Sequence, residues 1–239
     1  MTRYDRISKR AACGASMVEF LLVSPFALLL VLGIVQLGLM FVAKQIVNEA
    51  AFVAARAGAV DHARVATMKS SLVSALIPFY QDTTTTNDLR RLGTAWAKSE
   101  FDLVQPWNLS VQVLNPSPAA FADFGLADAN NQTYIPNDSL EYRTHTYQGP
   151  QSRESIQDAN VLKIRVAYAY ELKVPLMKVV FKSVMCGADS GVDAFGRGSW
   201  LSLFGGFASP SECLQYYERG RVPIVTYATV QMQSPAWPG

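Results

Sequence analysis

The spacing of apolar and polar residues changes character along the chain, and the first region is almost entirely apolar. Residues 20–43 read FLLVSPFALLLVLGIVQLGLMFVA, 24 residues without a charged side chain. As a helix this stretch would be about 36 Å long, enough to cross a hydrocarbon core of about 30 Å. Pro25 lies near its start, where a proline kinks a membrane helix rather than ending it. The sequence therefore predicts one membrane-spanning helix.

Helical spacing continues after this stretch and predicts an N-terminal helix over 15–60 that weakens near Gly58. Its apolar face is expected to comprise Val42, Ile46, Ala50, Val53, Ala57 and Val60.

Two shorter helices are predicted after the first. Asp61 is a candidate N-cap for a helix over 61–77, which Pro78 would end. Asn87 can cap a helix over 87–100. The side chains expected to face inward are Val65, Met68, Leu72, Val73 and Leu76 in one, and Leu89, Leu92 and Trp96 in the other.

The period then changes from 3.6 to 2, which is typical of strands with one buried face. Strands are predicted over 109–114, 161–174 and 223–233, with a short helix over 176–184. The fold class is therefore α+β: a long N-terminal helix, membrane-spanning in its first half, followed by a small antiparallel β-sheet domain over 61–239 that is packed by helices. The clearest alternating face contains Leu162, Ile164, Val166, Tyr168, Tyr170, Leu172 and Val174.

Two segments resemble insertions. Residues 115–160 are polar, with few apolar anchors, and residues 186–221 are rich in glycine and aromatic side chains. These aromatics either pack beneath a closed loop or form a contact surface for another subunit or a host or abiotic surface. They are Phe195, Trp200, Phe204, Phe207, Tyr216 and Tyr217.

The distribution of charge predicts the orientation in the membrane. The chain has 21 basic and 19 acidic side chains, a net charge of +2 that excludes a strongly basic nucleic-acid binder. Residues 1–14 carry four basic residues and one acidic residue, a net of +3, whereas residues 44–239 carry 17 of each. By the positive-inside rule the N-terminus is cytoplasmic and the C-terminal domain is periplasmic. The apolar stretch is too long for a secretory signal peptide, and no small-residue cleavage site follows it.

The cysteines favour a disulfide. Cys186 and Cys213 both fall on the exported side, where paired cysteines usually bond, although two free thiols are the alternative. A bridge would close a loop of about 27 residues and stabilise the fold by roughly 3.5 kcal/mol. Cys13 precedes the apolar stretch.

No pattern in the chain indicates catalysis or a cofactor. Asp189 to Asp193 have the composition of a solvated turn, and their spacing is not that of a calcium loop. His62, expected on a helix, and His145, expected in a loop, lie 83 positions apart, without cysteines or carboxylates at ligand spacing. Motifs for nucleophilic hydrolases, zinc peptidases, phosphate loops and dinucleotide binding do not occur. The sequence predicts neither an enzyme nor a metal site.

Glu19 stands at the start of the apolar stretch, five positions after Gly14. A carboxylate costs about 2.5–3.5 kcal/mol at the centre of a membrane helix and less near the interface. Glu19 either marks the cytoplasmic boundary of the span or has a function that requires it there.

A basic leader, a glycine, four small or apolar residues, Glu-Phe and a long apolar helix resemble the prepilin processing signal. The stretch RAACGASMVEFLLVSPFALLLVLGIVQLGLMF, with AARAG at residues 54–58, is similar to the TadE-like minor pseudopilins of the tight-adherence (Flp) pilus system.

This resemblance implies that prepilin peptidase removes residues 1–14 by cutting between Gly14 and Ala15. It also implies that the new Ala15 amine pairs with Glu19, beside Phe20, of an adjacent subunit, since opposite charges neutralise each other in low dielectric. The implied function is a minor pseudopilin that initiates, tips or anchors a pilus for surface attachment. The implied partners are other pilins and minor pseudopilins, the inner-membrane assembly platform and the lipid bilayer, with possible incorporation into the extracellular pilus and no nucleic acid or cofactor. The rival hypotheses are an uncleaved single-pass inner-membrane protein with a periplasmic binding module, and a pseudopilin of a secretion system.

Overall fold

The computed structural model describes residues 15–82, 84, 86–186, 216–217 and 219–238. Its longest element is helix α1, Ala15–Val60, which runs without a break through Pro25. Its 46 residues correspond to about 69 Å at 1.5 Å per residue. The helix therefore extends well beyond the thickness of a bilayer.

A turn with left-handed backbone separates α1 from the next helix. His62 and Ala63 have φ angles of 57° and 60°, and the Ala63 N–H donates to the Gly58 carbonyl at 2.8 Å. Because this turn occupies the residues after Val60, helix α2 spans Val65–Leu76 rather than starting at 61. Asp61 is not its N-cap; its carboxylate accepts a hydrogen bond from the Thr67 hydroxyl.

A 3-10 turn at Ile77–Tyr80 follows α2, and α3 spans Asp88–Leu103. The Asn87 side chain caps α3, as the sequence predicts, by accepting from the Arg90 N–H at 3.2 Å.

The sheet has three antiparallel strands, with the longest apolar alternation at its centre. The strands are β1 (Leu109–Asn115), β4 (Val161–Glu171) and β5 (Arg221–Gln231), in the order β1-β4-β5. Val166 of β4 lies between Val111 of β1 and Thr226 of β5. The alternating side chains from Leu162 to Val174 are all buried, although β4 ends at Glu171. The predicted α+β fold class is confirmed.

Residues 115–160 are better anchored than their composition suggests. They include α4 (Pro118–Phe124), a small hairpin of β2 (Leu126–Ala127) and β3 (Thr133–Tyr134), a 3-10 turn (Leu140–Tyr142) and α5 (Ile156–Ala159). Ile135 is fully buried and pairs with Ala236 as an isolated bridge. The buried Asn160 side chain donates to the Pro136 and Ile156 carbonyls. The segment is therefore anchored to the core by several of its residues.

The buried face of α1 differs from the predicted one. Val42, Val53 and Val60 are exposed, and small residues take their place against α2 and the sheet. Alanines bring the helix axes closer than valines would, because no branched side chain separates them. The small buried residues are Ala43, Ala50, Ala51, Ala54, Ala55, Gly58 and Ala59.

The inward face of α3 was also predicted wrongly. Leu89, Leu92 and Trp96 are exposed, and the helix instead buries Ala95, Ser99 and Leu103. The buried residues of α3 follow one another at intervals of four along a single face, and the apolar residues on its other faces remain uncovered in the described structure.

Gly58 marks the closest approach between α1 and its neighbours. A Cβ atom there would lie 2.6 Å from Met68 Cγ and 3.2 Å from Leu162 Cδ2, both fully buried. We expect Gly58→Ala to destabilise the domain by about 1–3 kcal/mol through overpacking. Gly93→Ala is the matched control, since a Cβ there meets nothing within 4 Å and the substitution should be neutral or stabilising. Urea denaturation in detergent would measure both; equal midpoints for the two variants would contradict the close packing.

Candidate assembly helix

The first half of α1 presents an apolar surface that the rest of the described chain does not cover. Nearly all its large side chains from Met17 to Val35 are exposed, including Phe20 at 70% and Phe26 at 72%. Glu19 is exposed on the same half, at the fifth residue of the helix. A surface of this size would be unfavourable in water and is suited to lipid or to other apolar helices.

Gln36 marks the point at which α1 enters the globular domain. Its side chain is fully buried, and its Oε1 accepts a hydrogen bond from the Val174 N–H at 3.0 Å. Met40 and Ala43 are also buried in the domain, so the last part of the predicted span over 20–43 is packed against protein. The exposed stretch from Met17 to Val35 is about 28 Å long at 1.5 Å per residue, which matches a hydrocarbon core.

The second half of α1 is attached along β5. Lys44 Nζ donates to the Val225 carbonyl at 2.7 Å, and the Thr226 hydroxyl donates to Asn48 Oδ1. Near its C-terminal end, α1 is bonded through the Ala59 carbonyl, which accepts from the Gln233 N–H at 2.9 Å. Partial burial lowers the pKa of the Lys44 ammonium. These bonds are spread over four turns of α1 and fix its second half to the domain. The exposed half of the helix therefore projects beyond the domain.

A partly buried ionic cluster connects the end of α3 to the start of β5. Arg221 donates to both carboxylate oxygens of Asp102, at 2.7 and 3.0 Å, and to the Ala169 carbonyl at 3.1 Å. The Tyr80 hydroxyl and the Asn108 amide also donate to Asp102, at 2.7 and 2.9 Å. Three side chains thus donate hydrogen bonds to the Asp102 carboxylate, and these bonds fix the end of α3 relative to the start of β5.

The ionisation of the cluster follows from its burial. Desolvation raises the pKa of the Tyr80 hydroxyl, with further contributions from Tyr168 and Asp102. Burial likewise raises the pKa of Tyr168. Burial alone would lower the pKa of Arg221, but its bonds to Asp102 outweigh this and raise it. The tyrosines therefore stay neutral and the Arg221 guanidinium stays charged.

Removal of the carboxylate should loosen this end of the domain. We expect Asp102→Ala to cost about 2–3 kcal/mol, because Arg221 would be left partly buried without its counter-charge. Glu171→Ala is the control: its pair with Lys173 is about half exposed, and such pairs contribute at most about 1 kcal/mol. Urea midpoints in detergent would distinguish them, and a loss for Asp102→Ala no greater than for Glu171→Ala would contradict the assigned role.

The structure describes only some of the residues singled out in the sequence. Ala15 is the first residue of α1, and Cys186 ends α6 (Met177–Cys186), the predicted short helix. Gly14, Cys213 and four of the aromatics lie outside the described residues. Those four aromatics are Phe195, Trp200, Phe204 and Phe207.

Tyr217 is a core residue with only 3% of its surface exposed, and Tyr216 is half-buried. Tyr217 therefore does not contribute to a contact surface.

The histidines have structural surroundings. His62 lies in the turn after α1 rather than on a helix; its Nδ1 is 2.9 Å from the Pro235 carbonyl, and its ring stacks on Trp237 at 4.8 Å. His145 is exposed in a loop. Within the described ranges, no group of histidine, cysteine, aspartate and glutamate side chains is arranged to hold a metal ion.

Two sets of contacts were missed by sequence reasoning. The Asp102 cluster joins residues up to 119 positions apart, and the Gln36 bond to Val174 spans 138 positions. Gln36 did carry a signal, as a lone amide within an apolar stretch. Nothing in the local pattern marked Asp102.

Comparison with known families gives a match that covers most of α1. Residues 14–56 match the family described as TadE-like protein. The N-terminal segment of the chain is TadE-like. The resemblance predicted from the sequence is thus confirmed, and the TadE-like segment includes Gly14, the exposed half of α1 and most of its packed half. The match of this segment suggests an association with the tight-adherence pilus, and the matched family is structural rather than a known family of enzymes. No curated protein and no solved structure matches the chain.

Proposed function

We propose that this chain is a minor pseudopilin that takes part in assembling a tight-adherence pilus. The observation that carries the proposal is the division of α1 at Gln36, with an uncovered apolar half of membrane length and a packed half bonded along β5. A helix of this kind can pass from lipid to a bundle of similar helices, because both surroundings are apolar.

Proteolytic processing would explain why a charged residue, Glu19, lies at the start of an apolar helix. In this proposal prepilin peptidase cuts between Gly14 and Ala15, leaving an ammonium group on the first residue of α1. Glu19 is then one helical turn away, exposed and able to accept the ammonium of an adjacent subunit. Phe20, exposed beside it, packs against the neighbouring helix. Each charge would be costly in an apolar bundle if left unpaired.

The surroundings of the chain follow from its charges. The basic leader remains in the cytoplasm and the domain after Gln36 faces the periplasm. The partners would be the peptidase, other pilins and minor pseudopilins, and the inner-membrane assembly platform, with incorporation into the extracellular pilus as the outcome. A bond between Cys186 and Cys213 would be compatible with that oxidising compartment.

The rival hypothesis is an anchored periplasmic binding module that is never assembled. Replacement of the membrane-spanning residues distinguishes this hypothesis from the proposed pseudopilin. In the native host, a deletion of the gene would be complemented with the full chain or with a variant whose residues 17–35 are replaced by an unrelated apolar span of equal length. We expect pili with the full chain and none with the exchanged span, provided that both reach the membrane in equal amounts. Equal piliation by the exchanged span would favour the binding module.

A further inference from the structure

One end of the globular domain lies towards the exposed half of α1. The direction follows from the bonds along β5: Lys44 meets Val225 near the start of the strand, whereas Ala59 meets Gln233 just beyond its end. The start of β5 and the end of β4 therefore lie nearest the exposed half of the helix. The bond from Val174 to Gln36 places the residues before α6 at the same level.

This membrane-proximal face carries large apolar side chains that the described structure leaves exposed. They come from three elements: the end of α3, the turn before β1 and the beginning of α6. The cluster of Asp102 with Arg221 holds the end of α3 there, and the Trp107 ring lies 4.7 Å from the Arg219 guanidinium. The exposed side chains are Phe101 (78%), Val104 (67%), Trp107 (42%), Leu176 (58%) and Val179 (70%).

The backbone at Leu176 contributes to this exposure. Its φ angle is 66°, in the left-handed region that bulky side chains rarely adopt. Directly after it, Met177 and, one turn later, Phe181 are buried in the core. Helix α6 is therefore amphipathic, with one face anchored in the domain and Leu176 and Val179 directed away from it.

The charges near α6 favour an anionic surface. Among the described residues around α6 and the start of β5, Lys173, Lys178 and Arg219 are exposed, together with the carboxylate of Glu171. Lys173 Nζ lies 2.8 Å and Lys178 Nζ 3.9 Å from Glu171. With the exposed carboxylate of Glu100 beside Phe101, the apolar cluster is flanked by three positive and two negative charges, a net of +1.

We propose that the membrane-proximal face rests on the outer surface of the bilayer that α1 crosses and binds anionic phospholipid. The occupant follows from continuity with the span: if Met17 to Val35 fill the hydrocarbon core, Gln36 lies at its boundary and α6 beside it. Tryptophan and basic residues beside apolar ones are the side chains that prefer this interface. The inference requires only that α1 spans the membrane and is independent of the pseudopilin role.

Fluorescence quenching by lipid tests this contact on the full chain. The protein would be reconstituted into vesicles of phosphatidylcholine and phosphatidylglycerol with acyl chains brominated near the headgroup. We expect the bromolipid to quench part of the tryptophan emission, and Trp107→Phe to remove most of the quenchable part. Trp237→Phe is the matched control, because Trp237 stacks on His62 just beyond the far end of α1, about 36 Å of helix away from Gln36.

The lipid preference is tested by charge reversal. Lys173→Glu/Lys178→Glu should weaken the contact in vesicles containing phosphatidylglycerol, by about fivefold for each lysine lost from an anionic surface. In pure phosphatidylcholine the variant and the wild type should behave alike. Equal bromolipid quenching of the wild type and Trp107→Phe would overturn the proposal. Shielding of Trp107 from aqueous quenchers that appears only at high protein-to-lipid ratios would also overturn it, because a second copy would then cover the face.

Discussion

Replacement of Gly14 by valine is expected to leave the chain in the membrane as an uncut precursor. The proposed peptidase must approach the backbone at Gly14 closely to cut after it, and a side chain at this position would obstruct that approach. The span itself is unaltered, so insertion should proceed normally. Immunoblots of native membranes should show a single species that is 14 residues longer than the wild-type band, with complete loss of the mature form.

Gly38→Ala is the matched control for this variant. A Cβ at Gly38 meets nothing within 4 Å, and alanine is a better helix former than glycine. We expect it to be cut as efficiently as the wild type. Efficient maturation of Gly14→Val would contradict processing at this site.

Replacement of Glu19 by alanine should leave membrane insertion and cleavage normal but prevent assembly of the chain into the pilus. Removal of a carboxylate makes the span easier to insert. It also leaves the Ala15 ammonium of a neighbouring subunit unpaired, at a cost of about 3–5 kcal/mol in an apolar environment. That cost corresponds to more than about a hundredfold loss of incorporation at equal expression. The amount of the chain in sheared pili, relative to membranes, measures it.

Glu49→Ala provides the control, since Glu49 is also a carboxylate on α1 but lies in the half that packs on the domain. It should assemble like the wild type. Unchanged incorporation of Glu19→Ala would reduce Glu19 to a marker of the membrane boundary.

Local patterns predicted those elements whose surroundings are fixed by a single period. The alternation along β4 could be recognised because the strand is central in the sheet and one face from Leu162 to Tyr170 is buried throughout. The cap at Asn87 was recognisable because capping depends only on residues within one turn.

Faces that depend on distant neighbours could not be predicted in the same way. Leu89, Leu92 and Trp96 have the spacing of a buried stripe, but whether a helix face is buried depends on what lies opposite it. The face predicted on α1 combined valines with alanines, and of these Ala50 is buried whereas the three valines are exposed. The Asp102–Arg221 pair could not be predicted either, because 119 positions separate its two residues in the sequence.

The candidate site shows the same contrast. The leader, Gly14 and Glu19 form a compact signal within 19 residues and can be identified in the amino-acid sequence alone. The depth at which α1 enters the domain cannot, because Gln36 and Met40 lie in the same apolar stretch as the residues that remain uncovered. The bond from Val174 to Gln36 marks the boundary between the part of α1 that packs on the domain and the exposed part.

The N-terminus of the mature chain tests the central claim most directly. Intact-mass measurement and N-terminal sequencing of the protein purified from membranes of its native host would establish it. If the chain is a processed pseudopilin, the mature protein begins at Ala15, followed by Ser16 and Met17. A mature protein that retains residues 1–14 would contradict the account and leave a membrane-anchored binding module in its place.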